Sequence, residues 1–273
     1  MHLNKFRSTL FSLWLVGVAF AVPAVAQTPP VAPSAPVRKT VAVLSVVGDV
    51  VQAMHIGLTV FNNAHASRKL DWKIDRILAE RVVQALAERF DAHAIEVDGE
   101  ALAKAALEPS FLSGGVDLEP ALRASVKPGL AELLLVVTPR VREDPFKNSK
   151  ALARGIGLYT VQNIFRGRFF GHTYLVCAMT VFDGQTLKKL DEDKCQNDDG
   201  FGEPKVPFQK VDAAVYKTEL VAMSAEQLEQ LRQAVLRMID ETVPLTLAEL
   251  KMIGPPKPAR QWPERPPQEE STR

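Results

Sequence analysis

Metal or acid–base chemistry in this chain would fall first to His55, His65, His93 and His172, the histidines that remain once an N-terminal leader is set aside. A zinc site needs histidines or cysteines at short fixed spacings, and none of the four has a second ligand so placed. They read as surface or packed residues. The acidic run DEDKCQNDDGFGE invites a calcium reading. Aligning Gly200 with the glycine such a loop requires places Cys195 at the first ligand position and Val206 at the bidentate carboxylate. Both anchors lack the necessary oxygen, so the run reads as a solvated loop, and neither a metal nor a cofactor is expected.

Nucleophilic and phosphate chemistry fare similarly. There is no G-x-S-x-G elbow, although a triad assembled from distant residues stays open because triads are geometric rather than sequential. GIG, Gly155 to Gly157, precedes the strand-like LYTV, whereas a phosphate loop follows a strand and opens a helix. RGRFFGHTY, Arg166 to Tyr174, approaches the outline of an RNA-binding strand. That signature wants an aromatic directly after Arg-Gly, and here Arg168 intervenes before Phe169. What remains is a local bias: seven Lys or Arg lie between Arg140 and His172, against Glu143 and Asp144 as the only acids. Such a basic, aromatic segment suits an anionic ligand or an envelope protein. Its candidate contact residues are Arg154, Arg166, Arg168, Phe169, Phe170 and His172. The alternative is that the phenylalanines pack beneath the loop while the arginines stay in water.

Cys177 and Cys195 are the only cysteines. Export, argued below, favours a disulfide between them. Register opposes it, because a tight hairpin turning at Asp183-Gly184 sets Cys177 opposite about Leu190. A Cys177–Cys195 bond and a buried Cys177 thiol are the two alternatives.

The elements that must position these residues alternate in period. TVAVLSVV, Thr40 to Val47, is a continuous apolar run suited to a strand buried on both faces. HIGLTVF is a second strand before Asn62-Asn63. Asp71 is expected to cap a helix whose stripe is Ile74, Ile77, Leu78, Val82, Leu86 and Phe90. HAIEV reads as a short strand, Gly99 to Leu107 and Asp117 to Val126 as helices, and ELLLVVT as another buried strand. Thr173 to Phe182 is a long strand with Thr186 to Lys194 pairing back. Ser224 and Gln227 have capping-box spacing before a helix that Pro244 should end. The whole predicts an α/β (α+β) fold, a mixed sheet with packed helices in a single layered domain over 38–253.

The ends carry address rather than chemistry. Lys5 and Arg7, the apolar Leu10 to Val22, and Ala24-Val25-Ala26 form a signal peptide over 1–26, cleaved after Ala26. Periplasmic or secreted localisation is expected, with no transmembrane span after cleavage. A proline-rich linker over 27–37 and a disordered proline-rich tail over 254–273 flank the domain. The chain has 33 basic and 32 acidic residues, and losing two basic residues with the leader leaves one net negative charge. That balance argues against nucleic acid as a partner.

VAVLSVVGD, ELLLVV, GIGLY and VFDGQT, in that order behind a signal peptide, resemble a group of exported proteins of Gram-negative bacteria with no assigned activity. More loosely, a strand pair followed by a long helix resembles periplasmic domains of envelope-assembly systems such as curli secretion, a likeness of fold alone. The expected function is a non-catalytic binding or assembly module of the cell envelope. The alternative is a periplasmic hydrolase whose site is built from scattered residues.

Overall fold

The computed structural model describes residues 37–57, 60–108, 116–146, 149–163, 168–196, 206–212 and 220–255. The leader, most of the linker, most of the tail, Arg166 and most of the supposed calcium loop lie outside them. In chain order the elements begin with β1 (Thr40–Ser45), β2 (Val50–Ile56), β3 (Ala64–Lys69), α1 (Ile74–Leu86), β4 (Asp91–Ala94), α2 (Glu100–Leu107) and α3 (Glu119–Ser125). They continue with β5 (Leu133–Pro139), β6 (Val141–Glu143), β7 (Leu152–Asn163), β8 (Arg168–Asp183), β9 (Lys189–Lys194), β10 (Phe208–Val211) and α4 (Ala225–Glu249). The fold is α+β, a mixed ten-stranded sheet with helices packed on it.

β8 is the spine of the sheet. Its C-terminal half pairs with β5 on one edge and β9 on the other, both antiparallel. Its N-terminal half pairs with β7 and β10. The handover from β5 to β7 is made by backbone bonds, Arg140 N–H to the Val176 carbonyl and Gly155 N–H to the Arg140 carbonyl. Gly155 has a φ of 50° there, which glycine adopts without the penalty other residues incur. β1 extends the first half by pairing parallel to β5 and β4. β2 extends the second half by pairing parallel to β7 and antiparallel to β3.

The continuous apolar run of β1 follows from this central position. Val41, Ala42 and Val43 are fully buried because both faces are covered. On one face α1 and α4 close the main core, with Val43, Leu78, Leu135, Met179, Val235 and Leu247 among its members. The opposite face carries two smaller clusters. One lies under α2 and α3 around Leu44, Leu102, Leu122, Val136 and Phe182. The other lies on the second half of the sheet around Met54, Tyr159, Tyr174 and Val176. No helix among the described residues is long and apolar enough to cross a membrane.

Several sequence expectations are corrected. The cap of α1 is Asp49, whose carboxylate accepts the Ile74 and Lys73 backbone N–H groups at 2.9 and 3.2 Å. Asp71 instead pairs with Lys73 at 2.8 Å on the exposed surface, where such a pair contributes little. The second strand is Val50–Ile56 rather than HIGLTVF. The chain turns at Gly57, whose N–H donates to Asn63 Oδ1 at 3.0 Å, and Val60–Asn62 is a 3₁₀ turn. HAIEV contributes only its first two residues to β4, which begins at Asp91. The capping box at Ser224 forms, but α4 continues through Pro244 to Glu249. A proline in a helix interior costs about 3 kcal/mol. Val243, Leu247 and Leu250 beside it are buried in the main core, and that burial holds the last turns in place.

The disulfide is resolved in favour of the bond: Cys177 and Cys195 are joined, with Cα atoms 5.2 Å apart. The expected tight hairpin would have paired Phe182 with Gln185. The chain instead makes a longer turn in which Phe182 pairs with Lys189, and a bulge then sets Val181 against Asp191. Leu187, at a φ of 54°, and the bond from Leu187 N–H to the Asp183 carbonyl shape that turn. The longer turn and the bulge together carry Cys195 to Cys177, and Cys195 N–H donates to the Cys177 carbonyl at 2.9 Å.

Candidate interaction site at the hairpin end of the sheet

The basic, aromatic segment maps onto the β7–β8 hairpin. Register aligns three rows of residues across the second half of the sheet. Farthest out lie Ile56, Val161 and Phe170 on β2, β7 and β8. Behind them come Met54, Tyr159, His172 and Lys210, the last on β10. Gln52, Gly157, Tyr174 and Phe208 form the third row. The period-two pleat points each row to one face.

Phe146, held by Asp144, covers the inner rows. Asp144 is buried and accepts hydrogen bonds from the Tyr159 hydroxyl at 2.7 Å, the Ser149 hydroxyl at 2.9 Å and the Phe146 N–H at 2.8 Å. These bonds lay Phe146 over the sheet. Its ring stacks on His172 with centroids 4.5 Å apart, while Phe208 meets His172 edge-on at 5.3 Å. Tyr174 lies across Gly157, where any side chain would collide with the phenol ring. Burial pushes the Tyr174 hydroxyl pKa up, with the Asp144 charge adding to the effect and the Arg154 backbone N–H opposing it.

His172 is therefore part of this aromatic packing rather than an outward contact. Its Nδ1 is buried without a hydrogen-bond partner among the described residues. Burial, and then the nearby Lys210 charge, push its pKa down from 6.5 to about 4. The consequence for stability has a definite sign. Between those two values the unfolded chain takes up a proton that the folded chain refuses, so stability falls as pH falls from 6.5 towards about 4. A His172→Phe variant keeps a stacked ring and removes the titration. Thermal melts at about pH 7 and about pH 4.5 should differ less for the variant than for the native protein; an equal difference would remove His172 as the cause.

Of the candidate contact residues, Arg166 lies outside the described residues, and Arg154 stands apart from those on β8. Arg154 is exposed but pairs with Val141 at the far end of β7. It stands roughly 23 Å from the outer row, at about 3.3 Å per residue. Arg168 and Phe169 have backbone positions on β8 opposite Asn163 and Gln162. Phe170 is 41% exposed at the end of the apolar rows. The residue missed by sequence reasoning is Phe61, 93% exposed in the turn between β2 and β3. Reading TVF as strand hid it. Because Ile56 sits beside Val161 and His55 faces Ala64, that turn lies at the same end of the sheet as Phe170.

A hydroxyl–imidazole pair elsewhere bears on the catalytic alternative. His55 Nδ1 and Thr160 Oγ1 are 2.9 Å apart, and the Thr160 hydroxyl lies 3.4 Å from the Met54 carbonyl. To activate that hydroxyl as a nucleophile, Nδ1 would have to accept its proton, so the role requires the tautomer that carries its hydrogen on Nε2.

No family model and no curated protein matches the chain. Among solved structures it is similar to the hypothetical protein CT253 from Chlamydia trachomatis at 10% identity and a TM-score of 0.32, over 79% of this chain and 96% of that one.

Proposed function

We propose that the protein is a non-catalytic binding module of the cell envelope, exported to the periplasm or beyond, that engages an envelope protein through the hairpin end of its sheet. The observation that carries this reading is the placement of Phe61 and Phe170. They are the exposed aromatics among the described residues, and strand register brings both to one end. The other large exposed apolar side chains are aliphatic: Val37, Val50, Leu130, Leu152 and Leu190. Aromatic residues and arginine dominate interface hot spots, and the hairpin sequence contains Arg166 and Arg168 within four residues of Phe170. The signal-peptide pattern and the disulfide are both consistent with an oxidising compartment outside the cytoplasm.

Affinity capture from an envelope extract tests the reading. Phe61→Ser with Phe170→Ser should reduce capture by about tenfold or more, the effect of losing two modest hot spots. The melting temperature should fall only slightly, because Phe61 is almost wholly in water and Phe170 is 41% exposed. Arg168→Ala should weaken capture further and make what remains less sensitive to salt. Undiminished capture of the same partners by the double variant would refute the assignment of this surface.

A further inference from the structure

The parallel part of the sheet contains a point at which the chain reverses its direction of travel. β1 lies between β4 on one side and β5 on the other, parallel to both. From β1 the chain passes through β2, β3 and then α1, on the face of the main core, to reach β4. From β4 it returns through α2 and α3, on the opposite face, to reach β5. The carboxyl ends of β1 and β4 therefore lead to helices on opposite faces. The bond from Ile95 N–H to the Val43 carbonyl, at 2.8 Å, ends the ladder between them, and beyond it the strands part. Where parallel strands part in this way, the crevice outside their carboxyl ends is the usual place for a ligand.

A cavity of about 410 Å³ occupies this point, a volume within the range of small-molecule sites. Its apolar lining comes from the buried Leu44, Val46 and Ala79 and the half-buried Ile95, Val97 and Ala103. Asp75 also lines it, half-buried, and is fixed there by the Ser45 hydroxyl at 2.8 Å and the Gly48 N–H at 3.1 Å. Glu96 and Glu100 are exposed members of the same lining. Among the described residues no cation forms an ion pair with any of these three carboxylates. The cations of the lining, Lys73 and Arg76, are already paired with Asp71 and Glu80, which lie outside it. An anion finds no free helix end either. Asp49 takes the first amides of α1, and Asp98 accepts the Glu100 N–H at the start of α2.

We propose that this crevice binds an organic amine with a compact apolar body, its ammonium group on the Asp75 carboxylate within the negative field of Glu96 and Glu100. A carboxylate offers about four acceptor positions, and the bonds from Ser45 and Gly48 leave Asp75 able to accept an ammonium N–H. Such charge-assisted bonds are the strong ones. The apolar body displaces water from Leu44, Val46, Ile95 and Val97. All the groups invoked face the cavity itself, so a molecule inside it meets them directly. The crevice belongs to the β1–β4 side of the sheet, whereas Phe61 and Phe170 belong to the other half, and it does not depend on the function proposed for them.

The protein is titrated with benzylamine and butylamine, with benzyl alcohol, benzoate and inorganic phosphate as controls, following the Gly48 and Gly99 amide NMR signals. At least one amine moves both signals saturably, and benzoate and phosphate move neither. Benzyl alcohol, which has the shape without the charge, binds about tenfold or more weakly than benzylamine. Two variants then separate the crevice from general attraction to an acidic surface. Glu96→Gln with Glu100→Gln alters exposed positions only, so it folds normally and weakens amine binding by about tenfold or more. Ala103→Leu keeps every charge but fills the cavity, and it abolishes binding. The proposal is overturned if neither amine moves the two signals, or if benzoate or phosphate moves them as strongly. It is equally overturned if benzyl alcohol matches benzylamine, or if either variant binds the amine as tightly as the native protein.

Discussion

Cys177→Ala with Cys195→Ala lowers stability by about 3 kcal/mol, the chain-entropy value for a loop of this size. The two cysteines are 18 residues apart in sequence, and their bond closes the β8–β9 hairpin. For a domain of this length the loss corresponds to roughly 6–12 °C in melting temperature. The position of the bond matters as much as the loop it closes. It lies where the outer edge of β8 passes from β9 to β10, and Leu175 N–H bonds the Pro207 carbonyl just beyond it. Without the bond, the amides of β9 and β10 should exchange with solvent first, because both strands are short and at the edge of the sheet. Thermal melts with and without reductant, combined with hydrogen exchange, provide the check. A reduced protein that melts within a degree of the oxidised one would show that the bond contributes nothing to the fold.

Gly184→Ala should cost a similar amount, about 3 kcal/mol, for a different reason. A Cβ at this position would run into the Ala131 carbonyl. Neither chain can retreat. Gly184 N–H donates to the Glu132 carbonyl at 2.9 Å, and its own carbonyl accepts from Gly129 N–H at 2.8 Å. The turn after β8 is thereby fastened, backbone to backbone, to the entry of β5. Gly48→Ala is the control. Gly48 has a φ of 79° but open space where a Cβ would go, so alanine there incurs only the left-handed penalty of about 1–2 kcal/mol. Chemical denaturation of the two variants separates collision from conformational strain. Equal losses would mean that the Ala131 carbonyl gives way.

The same pair of strands shows how far the sequence could be followed. Asp183-Gly184 marks a turn because Asp183 Oδ1 accepts the backbone N–H groups of Gln185 and Thr186 and the Thr186 hydroxyl, all of them local bonds. The turn's length is not local. It depends on Gly184 docking against β5 and on Leu187, fully buried in the cluster beneath α2 and α3, which draws the chain inward before it pairs. The bulge adds one more residue of slip. The cysteine pairing follows from these contacts, and composition could only favour it through compartment.

The candidate site divides in the same way. The basic bias and the phenylalanines of the hairpin are visible in the sequence, but which ring is outward depends on pleat and on what packs across the strands. Phe146, held by Asp144, stacks on His172 and makes it part of the packing. Phe61 became a candidate only when the chain turned at Gly57 and the parallel pairing of β2 with β7 carried it to the hairpin end.

By itself the sequence determined whatever rests on contacts within a few residues or on composition. These are the buried run of β1, the Ser224 capping box, the helical stripes, the α+β class and the absence of familiar metal and nucleotide signatures. Tertiary structure alone decided the Asp49 cap on α1, the passage of α4 through Pro244, the register that joins Cys177 to Cys195, and the crevice at the carboxyl ends of β1 and β4. The physical reason is range. Local propensities amount to about 1 kcal/mol or less per residue, while burial of a large apolar side chain contributes about 1.5–3 kcal/mol, so packing between distant segments overrides the local preference wherever the two conflict.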